Sequence, residues 1–84
     1  MTTWQVALVR EQGIEFGVIC VADNVIDDPN RREKVCQWWT MHLGRPVALV
    51  GARRHRTYGR YDIVRWLRSV HPSRLPWRQM NVAA

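Results

Sequence analysis

PVALVGARRHRTYGRYDIVRWLRSV, residues 46 to 70, is the stretch on which the fold turns. It opens on four apolar residues, Val47 to Val50, bounded by Pro46 and Gly51, the pattern of a buried strand. An arginine-dense loop runs from Gly51 to Arg60. From Tyr61 to Val70 the residues Ile63, Val64, Trp66, Leu67 and Val70 recur at helical spacing, while Tyr61, Arg65 and Arg68 lie one turn apart on the far face. His71-Pro72 stops this helix. The residues before Pro46 read as scaffold for this stretch, and those after Val70 read as a tail.

Working back, Trp4, Val6 and Leu8 alternate with Gln5, Ala7 and Val9, as in a half-buried strand. Gln12-Gly13 breaks the run, and apolar residues resume at Ile14, Phe16, Val18 and Cys20, so a β-hairpin is expected. The second arm ends in Val18 to Ala22, apolar on both faces, which suits a central strand or one ending under a helix. Asp28-Pro29-Asn30 then carries helix-start chemistry, with Asn30 and Glu33 as a competing register. Val35, Trp39, His42 and Leu43 share one helical face, with Cys36 and Trp38 at its margins and Lys34, Gln37 and Met41 opposite. Gly44 and Pro46 end the helix.

These elements predict one α+β domain over residues 1–84 with the order ββαβα. The third strand is expected beside the first, giving a three-stranded, mainly antiparallel sheet in the order 2-1-3, with both helices on one face. Residues 72–84, punctuated by Pro72, Ser73 and Pro76 and anchored by Trp77, are expected as an extended tail that frays after Met80. An uncovered sheet face predicts a homodimer. Trp38, which cannot share the core face with Trp39, and Trp77 are the interface candidates.

Charge divides the chain in two. Residues 1–45 carry five Lys/Arg and six Asp/Glu, a net of −1; residues 46–84 carry eight Arg and one acid, Asp62, a net of +7. The excess is regional. Twelve of the thirteen basic residues are Arg, a preference that a GC-rich, bacterial-like genome explains, whereas the clustering asks for a function. Two cysteines, Cys20 and Cys36, form neither a disulfide framework nor a metal-ligand spacing, and both fall on apolar surfaces as unreactive thiols. No signal-peptide pattern and no apolar run of about 20 residues occurs, so no membrane partner is expected and a reducing cytoplasm is the expected location.

The candidate site is the loop with its adjoining helix: Arg53, Arg54, His55, Arg56, Tyr58, Arg60, Arg65 and Arg68. Guanidinium groups with an interleaved aromatic suit a phosphate backbone and an unstacked base, which points to RNA or DNA as the partner. Three other readings compete. The arginines could pair with the acids of the first half, could meet acids on a protein partner, or could serve a small ribonuclease with His55 moving the proton. The last lacks a second acid or base, so a binding protein is expected and not an enzyme. Asp23, Asp27 and Asp28 match no cation loop, and Asp28 has a capping role; neither metal nor cofactor is expected. His42 is expected in the core, and His71 at a helix end whose partial negative charge suits it.

Overall fold

The computed structural model describes residues 2–11, 13–54 and 56–82. The chain forms β1 (Thr2–Glu11), β2 (Ile14–Val21), α1 (Asp23–Asp27), α2 (Pro29–Leu43), β3 (Val47–Gly51), β4 (Thr57–Gly59), α3 (Tyr61–Leu67), a 3-10 turn (Pro72–Arg74) and β5 (Trp77–Val82). The described residues build one five-stranded mixed sheet in the order β4-β3-β2-β1-β5.

The α+β class agrees with the sequence, and the three-stranded 2-1-3 sheet is corrected. β3 does not lie beside β1. It pairs with β2, in parallel, with Ile19 opposite Leu49 and Cys20 opposite Val50. α1 and α2 supply the crossover that a parallel pair needs. The place beside β1 belongs to β5, antiparallel, with Trp4 opposite Met80 and Ala7 opposite Trp77. The expected extended tail is therefore a 3-10 turn and then a paired edge strand that continues to Val82. Within the arginine-dense segment, β4 adds a further strand, antiparallel to β3 with Leu49 opposite Tyr58.

The helices do not share a face. α1 and α2 bury Val25, Ile26 and Trp39 against Val6, Ile19, Val21, Val47 and Leu49. α3 and the 3-10 turn with the residue after it pack Ile63, Leu67 and Leu75 on Ala7, Phe16, Val18, Ala48 and Val50, on the other side. The physical reason lies in β3. Val47, Ala48, Leu49 and Val50 are all buried. Successive side chains of a strand point to opposite faces, so a strand apolar on both needs cover on both. The broad open face on which the expected homodimer rested is thus filled.

α2 matches the sequence closely. The Asp28 carboxylate accepts from Asn30 N and Arg31 N at 3.1 and 3.3 Å, which settles the register, and Gly44 closes the helix with φ 67°. Trp39 is fully buried and meets Trp4 edge to face, with ring centres 5.5 Å apart. His42 is not in the core. The buried stripe runs through Val35, Trp39 and Leu43, four apart, and leaves His42 exposed on the flank, stacked on Trp38 at 4.7 Å. α3 stops at Leu67, short of the expected Val70. There the Ser69 hydroxyl donates to Trp66 O at 2.8 Å, offering that carbonyl a partner outside the helix.

Candidate functional site

β2 and β3 run in parallel, so Val21 and Gly51 end at the same edge, and the loop after β3 folds over it. Ala52 N donates to Val21 O at 2.8 Å, Gly51 N to Arg56 O at 2.9 Å, and Arg56 N to Arg54 O at 2.7 Å. Asp23, the first residue of α1, holds one carboxylate oxygen 3.3 Å from the N–H groups of both Arg53 and Arg54. A Cβ on residue 51 would stand 2.5 Å from that oxygen and 2.6 Å from Arg54 O, so only glycine fits. The loop is pinned from beneath by its backbone, and the side chains of Arg53 and Arg54 stay exposed.

The other candidates sit on separate elements. Arg56 pairs with Asp27 of α1. Arg60 occupies the N-cap position of α3 and pairs with Asp62 at 3.0 Å. Arg65 and Arg68 are exposed at and after the end of α3. Tyr58, on β4, is half-buried with its ring packed toward α2, and the Arg32 guanidinium carbon sits 4.6 Å from the ring centre. That ring face, expected as a platform for a base, is already engaged. His55 lies outside the described residues, and with it the ribonuclease reading. Trp38 lies in an apolar groove with Trp4, Lys34, Val35 and Trp39. Trp77 packs on the α3 side of the sheet and donates its indole N–H to Pro72 O at 2.7 Å.

Three arginines from three parts of the chain converge. Arg32 of α2, Arg56 of the loop and Arg68 after α3 line a cleft of about 400 Å³ with Ile26, Asp27 and Thr57. Arg32 is not among the residues that the sequence singles out. Its Nη1 donates to Ile26 O at 3.1 Å, and its Nε is buried without a hydrogen-bond partner. A signal for it exists: Arg31 and Arg32 fall near the start of a helix, where the dipole favours acids, and no acid stands in the first turn of α2. Asp27 is the single carboxylate lining this cleft.

The remaining acids are mostly engaged elsewhere. Glu15 pairs with Arg10 at 3.2 Å and Arg45 at 3.5 Å, Asp28 caps α2 and Asp23 holds the loop. Among the described residues Arg53, Arg54, Arg65, Arg68, Arg74 and Arg78 form no ion pair. The described residues contain no group of three His, Cys, Asp or Glu placed to hold a metal ion. Cys20 and Cys36 are free and half-buried, and burial pushes both thiols up, with Asp23 adding to the rise at Cys20. A thiol that keeps its proton is a poor nucleophile. No helix among the described residues is long and apolar enough to cross a membrane.

The chain matches no protein-family model, no curated protein sequence and no solved structure.

Proposed function

We propose that this protein binds a polyanion, RNA or DNA, along the arginines of the loop and of the cleft beside it, from Arg53 and Arg54 through Arg56 and Arg32 to Arg68 and Arg65. The observation that carries this reading is the cleft in which Arg32, Arg56 and Arg68 face the one carboxylate of Asp27. Like charges so placed repel, and the buried Arg32 Nε has no acceptor. A phosphate oxygen in the cleft would relieve the repulsion, and the planar guanidinium fork suits it. Because Arg32 covers the Tyr58 ring, phosphate contacts supply the affinity in this reading and base stacking on Tyr58 does not. Such a protein binds without strong sequence preference and needs no catalytic group. A cytoplasmic location belongs to the same proposal, supported by two thiols left free.

The test is a salt titration of binding to mixed-sequence single- and double-stranded oligonucleotides. For about four phosphate contacts the slope of log K on log [salt] is expected near −3 to −4. Arg56→Ala combined with Arg68→Ala should flatten it by about 1, the share of Arg68, because Asp27 already holds Arg56, and weaken all sequences alike. Absence of binding at low salt, or an unchanged slope in the double variant, overturns the reading.

A protein–protein module is the second reading, and one observation favours it. Trp4, Lys34, Val35, Trp38 and Trp39 line a groove of about 300 Å³, and the indole N–H groups of Trp4 and Trp39 are buried without acceptors. An apolar or aromatic side chain of a partner would fill this groove. If the partner is a second copy, the mass in solution rises with concentration and Trp38→Ala returns it to that of one chain.

A further inference from the structure

A second concave site lies at the carboxyl end of the β2–β3 pair, on the α3 side of the sheet. α3 ends at Leu67 and the 3-10 turn begins only at Pro72, so this end of the face lacks helical cover. The strand register lines up Gln79, Gln5, Cys20 and Val50 in one row across β5, β1, β2 and β3. Gln5 shares its face with Ala7, which is core. An exposed amide on the face that Ala7 and Val9 help to fill marks where the cover of that face stops.

That row opens onto a cavity of about 400 Å³, lined by Gln5, Cys20, Val50, Arg53, His71 and Trp77 among others. Its place is the one where sheets with parallel strands bind ligands, outside the carboxyl ends and under the loops that leave them. Its polar groups differ in kind. Gln5 offers both a donor and an acceptor, and Arg53 a charge with no acidic partner among the described residues. His71 turns its Nδ1 toward Ser73, whose N–H and hydroxyl lie 3.2 and 2.7 Å away. Trp77 has given its N–H to Pro72 O and presents ring surface. Cys20, kept as a thiol, is a soft apolar contact. The mixture of apolar wall, two-way amide and single cation suits a flat ring that carries one acidic group.

We infer that this cavity binds a small heteroaromatic anion of about nucleoside-monophosphate size, its ring against Trp77 and Cys20, its edge on the Gln5 amide, and its phosphate or carboxylate on Arg53. The inference does not depend on the polyanion reading, with which it shares only Arg53.

The test is a titration of isotope-labelled protein with adenosine monophosphate, uridine monophosphate, indole-3-carboxylate and inorganic phosphate, monitored by nuclear magnetic resonance. Saturable shifts at the Trp77 indole N–H and the Ala52 and Arg53 amides are expected with the ring-bearing anions and not with phosphate. A response to the nucleotides alone assigns a nucleotide, and one to the indole acid alone assigns an aromatic carboxylate. Gln5→Leu should weaken binding about tenfold, since it leaves a polar ligand edge unpaired, while the salt slope of oligonucleotide binding stays as it was. Arg56→Ala with Arg68→Ala should do the reverse. Arg53→Gln, on an exposed loop position, is the second variant should Gln5→Leu lose the native spectrum. The inference is overturned by the absence of saturable shifts, by an equal response to inorganic phosphate, or by full affinity in Arg53→Gln and a folded Gln5→Leu.

Discussion

Asp23 holds two backbone N–H groups with a single carboxylate oxygen and fixes where Arg53 and Arg54 project. Asp23→Ala should therefore cost only about 0.5–1.5 kcal/mol, because water can replace the exposed bonds. Amide hydrogen exchange at Arg53 and Arg54 should quicken far more than at Trp39, and equal quickening at both sites would mean a global effect instead. Gly51→Ala should cost more, about 1–3 kcal/mol, since its methyl must displace that same oxygen or the Arg54 carbonyl. The thiols give a pH test. Burial raises both, so the fold favours the protonated form. Their contribution is fully present below the ordinary thiol range and is lost as pH rises through the higher folded values. Alkylation at pH 8 to 9 should be slower in the native protein than in urea, and stability should fall as pH climbs beyond that range. None of these roles was legible from the residue alone. Asp23 meets partners 30 and 31 positions away, and in the sequence it opens a loop or suggests a cation ligand.

Elements whose signals are local were legible. α2 has its cap, its stripe and its stop within seventeen residues, from Asp28 to Gly44, and the structure keeps the cap, the stop and all of the stripe but His42. Asp28→Ala should cost about 1 kcal/mol, and Trp39→Ala about 3–5 kcal/mol, enough to unfold a small domain. Denaturant titrations check both, and equal losses would refute the register. β3 was legible as a strand but not in its pairing, because nothing in four apolar residues names a neighbour. Its burial on both faces, which forces the helices apart, is nonetheless written in Val47 to Val50 and argues against a sheet with one wet side. β5 was opaque for another reason. Its two large apolar residues, Trp77 and Met80, are three apart and pack on opposite faces, so no period of two emerges, and it is otherwise held by backbone pairing along β1 and the Thr3–Asn81 hydrogen bond of 2.6 Å. Long-range pairing decided this element, and the sequence alone carries no record of it.

At the scale of the whole molecule, two arginines of the basic half, Arg56 and Arg68, come together with Arg32 from the less basic half. A formal net charge of +6 by itself draws any polyanion, so binding alone does not distinguish the cleft from the molecule's overall field. Two substitutions of equal charge make the distinction. Asp27→Asn removes the carboxylate that holds Arg56 and leaves three guanidinium groups unopposed in the cleft. Glu11→Gln removes one charge at the hairpin end of β1, where Glu11 faces Ile14. That end lies an eight-residue strand away from the loop, roughly 25 Å and well beyond the screening length of about 8 Å at physiological salt. Each variant gains one positive charge. If overall charge governs affinity, the two tighten binding alike. If the cleft takes phosphates, Asp27→Asn frees one more contact and steepens the salt slope on duplex DNA by about 0.9, while Glu11→Gln leaves the slope unchanged. Parallel salt titrations of the two variants decide it, and equal slopes would assign the affinity to the molecule's charge as a whole and remove Arg32, Arg56 and Arg68 as a site.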